Sequence, residues 1–560
     1  AITVQAVSNP AWYAVQALPY LMEYPHECSE QVFNRLYANA IARHIANSDR
    51  RIRQVFNEWK GTDALKSNLQ KNQDLKSALL KETPWVLQAK SEEQAKNNVG
   101  ILFEHKRLNR ETKSAIKKLS DMQHGSGAWP WFPGGRENSF ITLYVMTGFG
   151  RLKHLEVEER FPRMKRCLTY CDNWLKRRYD DVVKYKRLKE NNLGSSVCLY
   201  LYGRSFFLSE QKVASHCQTA LNFFLQQAKE YWLSQGQMSQ GHLAIALGRF
   251  GDHLTPKKIV RSLREKATVS QEMGMSWDDE VSWWWYRAPI ETQAVMIELF
   301  HEVAKDKKAV DDCQTWLLKQ KQTQHWKTTK ATADAVYALL MRGRNLLAST
   351  ELVQVKLGDL LVKPDKVEAG TGYYEKRFAA SEVKADMGNI TMKKVDEGVA
   401  WGSVHWQYFE DLGKVTPHKT PLQLEKTLFV ERQTATGPVI EKVKGQKLHP
   451  GDLVKVRIVL RVDRAMEYVH LKDHRGSGTE PTNVLSRYKY QDGLGYYEAT
   501  GDTATNFFID YLNKGTYVFE YPIRVVHVGR YQSGMASIQC MYAPEFNSHS
   551  GSVTMTVTPE

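Results

Sequence analysis

The sequence predicts a multidomain protein of α and β units, an α/α toroid of about six helical hairpins followed by two β-sandwich domains. Three observations carry that expectation. The chain has 560 residues, too many for one hydrophobic core, since single cores stop growing at roughly 250–300 residues. Between residues 29 and 344 amphipathic helical stretches recur in pairs, spaced by roughly 40 to 50-odd residues, a period typical of stacked helix pairs. Beyond Arg344 the apolar period shortens to two, with Gly and Asp-Lys turns between the runs, which is strand patterning.

Taken in order, Ile2 to Ala6 reads as a strand with no neighbour nearby in the chain. Asn9-Pro10-Ala11-Trp12 is a turn and Val15 to Met22 a short apolar helix, broken by Pro25. From Ser29 onward apolar residues fall at Val32, Phe33, Leu36, Tyr37, Ala40, Ile41 and Ile45, the stripe of an amphipathic helix. Asp49 to about Lys96 is polar and charge-mixed, and reads as a helical insertion on the surface. The first helices of the following pairs begin near Asn98, Pro162, Glu210, Thr255 and Ala309. Their partners open at Ser139-Phe140-Ile141-Thr142, Ser195-Ser196-Val197, Ser239-Gln240-Gly241-His242, Ile290-Glu291-Thr292 and Thr329-Lys330-Ala331-Thr332. Neither terminal pair has a polar outer face, so a closed ring is expected rather than an open solenoid.

Alternation at Val353 to Leu357, Thr391 to Val395 and Val404 to Tyr408 marks a small sandwich, to which Ile2 to Ala6 is expected to return as a missing strand. In the last stretch Val454, Val456, Ile458, Leu460 and Val462 alternate with Lys455, Arg457, Val459 and Arg461; Gly515 to Tyr521 and Ser552 to Thr558 are further strands of a two-sheet sandwich. The expected division is therefore one β-sandwich from 1–10 and 346–420, the toroid over 11–345, and a terminal sandwich over 421–560.

One stretch carries distinctive chemistry: Tyr24-Pro25-His26-Glu27-Cys28-Ser29-Glu30-Gln31. A cysteine stands three residues before a glutamine, where a turn gives way to a helix. At that spacing the Cys28 sulfur can bond to the Gln31 side-chain carbonyl carbon, expelling ammonia and leaving an internal thioester. Placed at the helix N-cap, Cys28 is expected to have a lowered pKa and to be a good leaving group. The plainer alternative is a buried cysteine packing under the helix start.

The formal charge of +15 invites a nucleic-acid partner. The basic residues, however, are spread among acids along helices, as in Lys106-Arg107, Arg110, Lys113 and Lys117-Lys118, which reads as solvated helix faces and no nucleic-acid binding. No apolar run approaches the roughly 18 residues of a membrane span. Ala1-Ile2-Thr3-Val4 lacks a basic region followed by an apolar core, so no signal peptide is legible. The chain is expected to be a piece of something longer, with targeting or anchoring segments outside it. Seven cysteines (Cys28, Cys167, Cys171, Cys198, Cys217, Cys313, Cys540) make no disulfide framework. Cys167 and Cys171, one turn apart, are expected in the core rather than on a metal, and no cofactor is expected.

Together these residues resemble the C-terminal part of the bacterial α2-macroglobulin family. Tyr24-Pro25 with Cys28-Ser29-Glu30-Gln31 is similar to the family's proline-flanked Cys-x-Glu-Gln thioester motif. Trp326 followed by Thr328-Thr329-Lys330-Ala331-Thr332-Ala333-Asp334-Ala335-Val336 resembles the closing helix of its thioester domain. Gly515-Thr516-Tyr517-Val518-Phe519-Glu520-Tyr521 and Met541-Tyr542-Ala543-Pro544-Glu545 resemble its last macroglobulin-type domain. The resemblance implies a toroidal thioester domain inserted into a CUB-like sandwich and followed by a macroglobulin-like one. It also implies a protease-trapping endopeptidase inhibitor, not an enzyme, working in the periplasm or at the cell surface. A lysine amine of the attacking protease is then linked covalently to the Gln31 carbonyl, and membrane attachment would come only through segments outside this chain.

Two departures from the family pattern bear on the site. His26-Glu27 stands where many members have Tyr-Gly, and a glycine there allows positive φ. The complement branch places a histidine downstream that directs the bond toward hydroxyls. The matching stretch, 125–153, holds no histidine, with Asn138 near the expected place and His124 earlier in a turn. Direct reaction with amines is therefore expected.

An intact thioester needs water kept away. Trp129 and Trp131, in Trp129-Pro130-Trp131-Phe132-Pro133-Gly134-Gly135, are candidates for that shielding, or else pack a hairpin turn. In bacterial relatives a tyrosine of the last domain shields the bond, which makes Tyr496 and Tyr497 candidates here. Two other readings are carried. Trp277-Asp278-Asp279-Glu280 with Trp283-Trp284-Trp285-Tyr286 supplies the stacking rings and paired carboxylates of a polysaccharide lyase or glycosidase built on a toroid. The third is a thioester adhesin or structural surface protein.

Overall fold

The structure, a computed structural model, describes residues 1–23, 27–48, 54–55, 58–59, 84–85, 105–157, 159–277, 289–323, 326, 328–341, 347, 349–541, 543 and 545–559. Among them are twelve α-helices: α1 (Trp12–Glu23), α2 (Ser29–Ser48), α3 (His105–Met122), α4 (Ser139–His154), α5 (Met164–Lys184), α6 (Ser195–Ser205), α7 (Ser215–Tyr231), α8 (Gln237–Arg249), α9 (Thr255–Glu265), α10 (Pro289–Leu299), α11 (Lys307–Thr323) and α12 (Thr329–Leu340). Most of the insertion expected over 49–96 lies outside the described residues.

The even-numbered helices form an inner ring. α2 packs on α4, α4 on α6, α6 on α8, α8 on α10 and α10 on α12, and α12 meets α2 again. The odd-numbered helices stand outside, α3 against α2, α5 against α4, α9 against α8 and α11 against α10, while α1 lies on both α2 and α12. The closed α/α toroid expected from the period is thus present. Sequence explains the two layers. α9 is strongly amphipathic and buries Ile259, Val260 and Leu263, as a half-covered helix must. α4 is buried at every position from Ile141 to Leu152, as befits a helix surrounded by others. Small residues let inner helices approach: a Cβ on Gly148 would stand 2.2 Å from the Phe33 ring of α2, and one on Gly203 would stand 2.4 Å from Thr147 Oγ1 of α4.

β1 (Ile2–Val7) lies between β6 (Tyr374–Phe378) and β8 (Trp401–Trp406), antiparallel to both, with Val4 opposite Lys376 and Val404. A second sheet runs β5 (Leu360–Leu361), β4 (Gln354–Leu357), β7 (Ile390–Lys393). Ile2, Val4, Val355, Leu357 and Tyr374 share its core. The chain's first strand therefore joins strands that follow the whole toroid.

The terminal region is a two-sheet sandwich. One main sheet is β10 (Gly437–Lys442), β9 (Leu422–Thr434), β12 (Leu453–Val462), β18 (Gly515–Val525), β14 (Thr479–Pro481); the other is β15 (Arg487–Gln491), β16 (Leu494–Thr500), β17 (Ala504–Leu512), β13 (Met466–His474), β20 (Ala536–Cys540), β21 (Asn547–His549); a small third sheet, β11 (Lys447–Leu448), β22 (Thr554–Val557), β19 (Gly529–Gln532), adds to the same core. The alternation read over Val454 to Val462 is the observed burial, with those five apolar side chains in the core. Two tryptophans tie the segment after α2 to both sandwiches. The Trp59 indole donates to Ala369 O at 2.8 Å and the Trp85 indole to Asp510 Oδ1 at 2.5 Å.

A belt of buried charge crosses the toroid's inner ring. Arg151 of α4 and Lys330 of α12 both pair with Asp334, the latter at 3.1 Å, and Lys330 lies 3.3 Å from Glu291 of α10. Arg151 Nε donates to the Tyr202 hydroxyl at 3.1 Å, Tyr202 donates to Glu298, and Arg249 of α8 pairs with Glu298 at 2.7 Å. Buried charges survive only when paired in this way.

Candidate functional site

Cys28 is the N-cap of α2: Val32 N donates to Cys28 O at 2.9 Å, the first bond of the helix. Gln31 is then the third helical residue, and its carboxamide oxygen accepts from Cys28 N at 3.4 Å. This is one half of a capping box, in which the third residue's side chain folds back to the N-cap backbone. The reach that satisfies a helix start is therefore the reach that brings the Gln31 amide to the cysteine. Cys28 is 5 % exposed, and its thiol faces Glu30 Oε2 at 3.9 Å.

Burial pushes the Cys28 thiol up, with the Glu30 charge adding to the rise. The expected lowering at a helix N-terminus is overridden, because the thiol is desolvated and shares its pocket with an acid. Glu30 is itself buried, and burial pushes its carboxyl up against the pull of Thr329 and Lys330. Its Oε1 accepts from Asn34 Nδ2 and from Thr329 Oγ1, both at 2.6 Å. Asn34 in turn accepts from the Tyr144 hydroxyl at 2.7 Å. Ser29 N donates to Trp131 O at 2.9 Å, which fastens the aromatic loop to the helix start. Glu27 points away, paired with Lys118 and, at 3.7 Å, with Arg35; residues 24–26 lie outside the described ones.

The sequence candidates thus separate. Cys28, Ser29, Glu30 and Gln31 form one helix turn, and Trp131 adjoins it. Trp129 is turned into the core, its indole donating to Leu119 O at 2.8 Å and its ring against Phe161. Tyr496 and Tyr497 do not reach the motif. Tyr496 packs between Phe507 and Phe519 inside the terminal sandwich, and Tyr497 packs on Tyr488 and Phe508. Adjacent on β16, the two rings point to opposite faces, Tyr496 into the sandwich core and Tyr497 against a cluster that includes Trp85. Asn138 is occupied as the N-cap of α4, accepting from Ile141 N at 3.0 Å. His124 lies against Gly135 O at 3.1 Å.

Sequence reasoning missed Asn34, Tyr144 and Thr329 as parts of the site. A usable signal existed for Asn34, a polar residue on the apolar stripe between Phe33 and Leu36 and one turn after Glu30. Beside the motif, a cavity of about 300 Å³ opens within the ring, lined by Phe33, Trp131, Phe140 and Tyr144 and by the charged Arg151, Lys330 and Asp334. Of the aromatic and acidic run proposed for sugar chemistry, 278–288 lie outside the described residues; Trp277 is buried, its indole donating to Leu263 O at 2.7 Å. All seven cysteines are buried and none is joined in a disulfide. Among the described residues no group of His, Cys, Asp or Glu converges as a metal site, and no helix is long and apolar enough to cross a membrane.

A closed helical ring with a Cys–Gln turn at one inner-helix start, joined to two sandwiches, defines the architecture. Residues 422–545, most of the terminal sandwich, match the family model described as the bacterial alpha-2-macroglobulin MG10 domain. The resemblance of the chain to the C-terminal part of bacterial α2-macroglobulins is borne out by that match. Solved structures similar to the whole chain include native alpha-2-macroglobulin from Escherichia coli spanning domain MG7 to the C-terminus, at 14% identity and a TM-score of 0.39, with 77% of that chain covered. Trypsin-activated alpha-2-macroglobulin from E. coli matches at 15% and 0.47, with 34% covered, and Salmonella alpha-2-macroglobulin reacted with methylamine at 18% and 0.37, with 32% covered. Each match covers 100% of this chain, which therefore spans about a third of the length of the latter two. None of the curated proteins compared with the chain matches it.

Proposed function

We propose that this chain is the thioester-bearing, C-terminal part of a protease-trapping inhibitor of the α2-macroglobulin type. The observation that carries the reading is the Gln31 carboxamide folded back on Cys28 at the start of α2. The Cys28 thiol adds to the Gln31 side-chain carbonyl carbon, ammonia leaves, and a thioester remains. A lysine amine of a protease then adds to the same carbon, the C–S bond breaks, and an amide joins the two proteins while the sulfur returns as a thiol. Burial of Cys28 keeps water from competing, and Trp131 is the shielding side chain of this reading. The division into a CUB-like sandwich (1–10 and 346–420), a thioester toroid (11–345) and a macroglobulin-like sandwich (421–560) belongs to the same proposal. So does action in the periplasm or at the cell surface against target proteases.

Intact mass tests it. Freshly purified protein is expected to be lighter than its sequence by one ammonia, with Cys28 closed to alkylation until an amine is added. Full sequence mass with a freely alkylated Cys28 would overturn the trap and leave the fold standing. A second measurement concerns the nucleophile. With Asn138 committed to capping α4 and His124 bound at a turn, methylamine is expected to be incorporated and glycerol not. A preference for glycerol would rule out direct aminolysis.

A further inference from the structure

We propose that Glu30 is the proton-transferring residue of the Cys28–Gln31 chemistry, acting when the thioester forms and again when an amine opens it. The proposal rests on the thioester reading above. Its basis is how the carboxyl is held. Oε1 takes two side-chain hydrogen bonds of 2.6 Å, from Asn34 one turn along α2 and from Thr329 at the head of α12. Asn34 is itself fixed by the Tyr144 hydroxyl of α4 at 2.7 Å. Three inner helices thereby orient one carboxyl, and the oxygen left over, Oε2, faces the Cys28 sulfur at 3.9 Å. An acid that merely served the helix dipole would need none of these anchors. Of the other charged neighbours, Glu27 is engaged with Lys118 and Arg35, while Lys330 pairs with Asp334 and Glu291 and acts on Glu30 only through its charge.

The steps balance without any further reagent. In closure the Glu30 carboxylate takes the proton of the Cys28 thiol, the thiolate adds to the Gln31 carbonyl carbon, and the same proton passes to the departing nitrogen, which leaves as ammonia. In opening an amine adds to that carbon, Glu30 takes a proton from its nitrogen, the C–S bond breaks, and the proton is delivered to the sulfur. Glu30 ends each sequence as it began, as a general acid–base must.

The test uses the whole chain. Ammonia opens the thioester and restores the Gln31 carboxamide and the Cys28 thiol; after its removal, reclosure is followed by intact mass, and opening by methylamine is followed by thiol release. Glu30→Gln is expected to slow both by about 100-fold or more, the usual worth of general acid–base catalysis. Thr329→Val keeps the carboxyl but removes one anchor, and is expected to slow both by about tenfold as a partial loss of the same effect. Should Glu30→Gln fail to fold, judged by its thermal transition, Thr329→Val decides alone, and wild-type rates in it overturn the proposal. Wild-type rates in a folded Glu30→Gln overturn the role of Glu30 and leave the thioester in place. A wild-type protein that never loses ammonia overturns the thioester itself, and the role of Glu30 with it.

Discussion

Replacing Asp334 by alanine is expected to lower the stability of the helical ring by about 3–5 kcal/mol, the cost of breaking a buried ion pair by removing one partner. Asp334 is the one acid shared by Arg151 and Lys330, and the side chains of all three are at most 10 % exposed. Its carboxyl is held below the usual carboxylate range, because Arg151 and Lys330 outweigh its burial. Burial pushes the other acid beside Lys330, Glu291, the opposite way, so Glu291 is a poor substitute. Without Asp334, two cations would face each other across the ring in a low-dielectric interior. Arg261→Ala is the control, since Arg261 and its partner Glu265 are 83 and 65 % exposed and an exposed pair is worth only about 0–1 kcal/mol. Urea unfolding followed by circular dichroism measures both. Equal midpoints for the two variants would remove the charge belt from the list of what holds the ring.

Acid is expected to weaken the ring through the buried His242 and the terminal sandwich through the half-buried His470. His242 stacks on Tyr202 with ring centroids 4.5 Å apart, and burial, with Arg151 and Lys330 nearby, lowers its pKa to about 3. His470 stacks on Phe508 at 4.8 Å, and burial lowers it to about 4 against the opposing bond from Asn506. An unfolded histidine titrates near 6.5. Between that value and the folded ones, the unfolded chain binds the extra proton, so stability falls as pH falls, by about 1.4 kcal/mol per unit for each histidine. The contribution is fully present above about pH 6.5, and each histidine's share of it falls by about 2 kcal/mol by pH 5. Glu30 and Glu291, raised by burial, act in the opposite sense in the ring, where they gain a proton before their unfolded counterparts do. In the sandwich His474, also lowered by burial, adds to the slope, and Glu545, raised by burial, opposes it. His470→Gln is expected to flatten the slope in urea titrations between pH 7 and 5, and an unchanged slope would count against a neutral His470.

What the chain reveals before folding depends on how local the physics is. The openings of α4, α6, α8, α10 and α12 stood within a few residues of the read positions, because a helix start is announced by its own cap and first turn. The alternation of β12 was legible for the same reason. The Cys28–Gln31 relation is local as well, lying within a single turn. Glu30's anchors are not: Tyr144 is 110 residues from Asn34 and Thr329 is 299 from Glu30, and only ring closure puts them together. The direction of the Cys28 shift was misread because a helix dipole is visible in a sequence and desolvation is not. The alternation along β16 allots Tyr496 to the sandwich core, whereas the neighbour of Tyr497 on the other face, Trp85, is far away in sequence. Between Trp129 and Trp131 nothing local decides; the packing of Phe161 and Phe140 does.

The pairing of β1 has a consequence in time. Ile2 to Val7 is made before the toroid, yet its partners at 374–378 and 401–406 emerge about four hundred residues later. At about 5–20 residues per second of synthesis, the strand waits on the order of 20–80 seconds for its sheet. Over that interval Ile2-Thr3-Val4-Gln5-Ala6-Val7 is an unpaired, uncharged β-forming segment, the kind that recruits other chains. A nascent chain must therefore either cover it with what is already made or hand it to a chaperone until the second half of its sheet arrives.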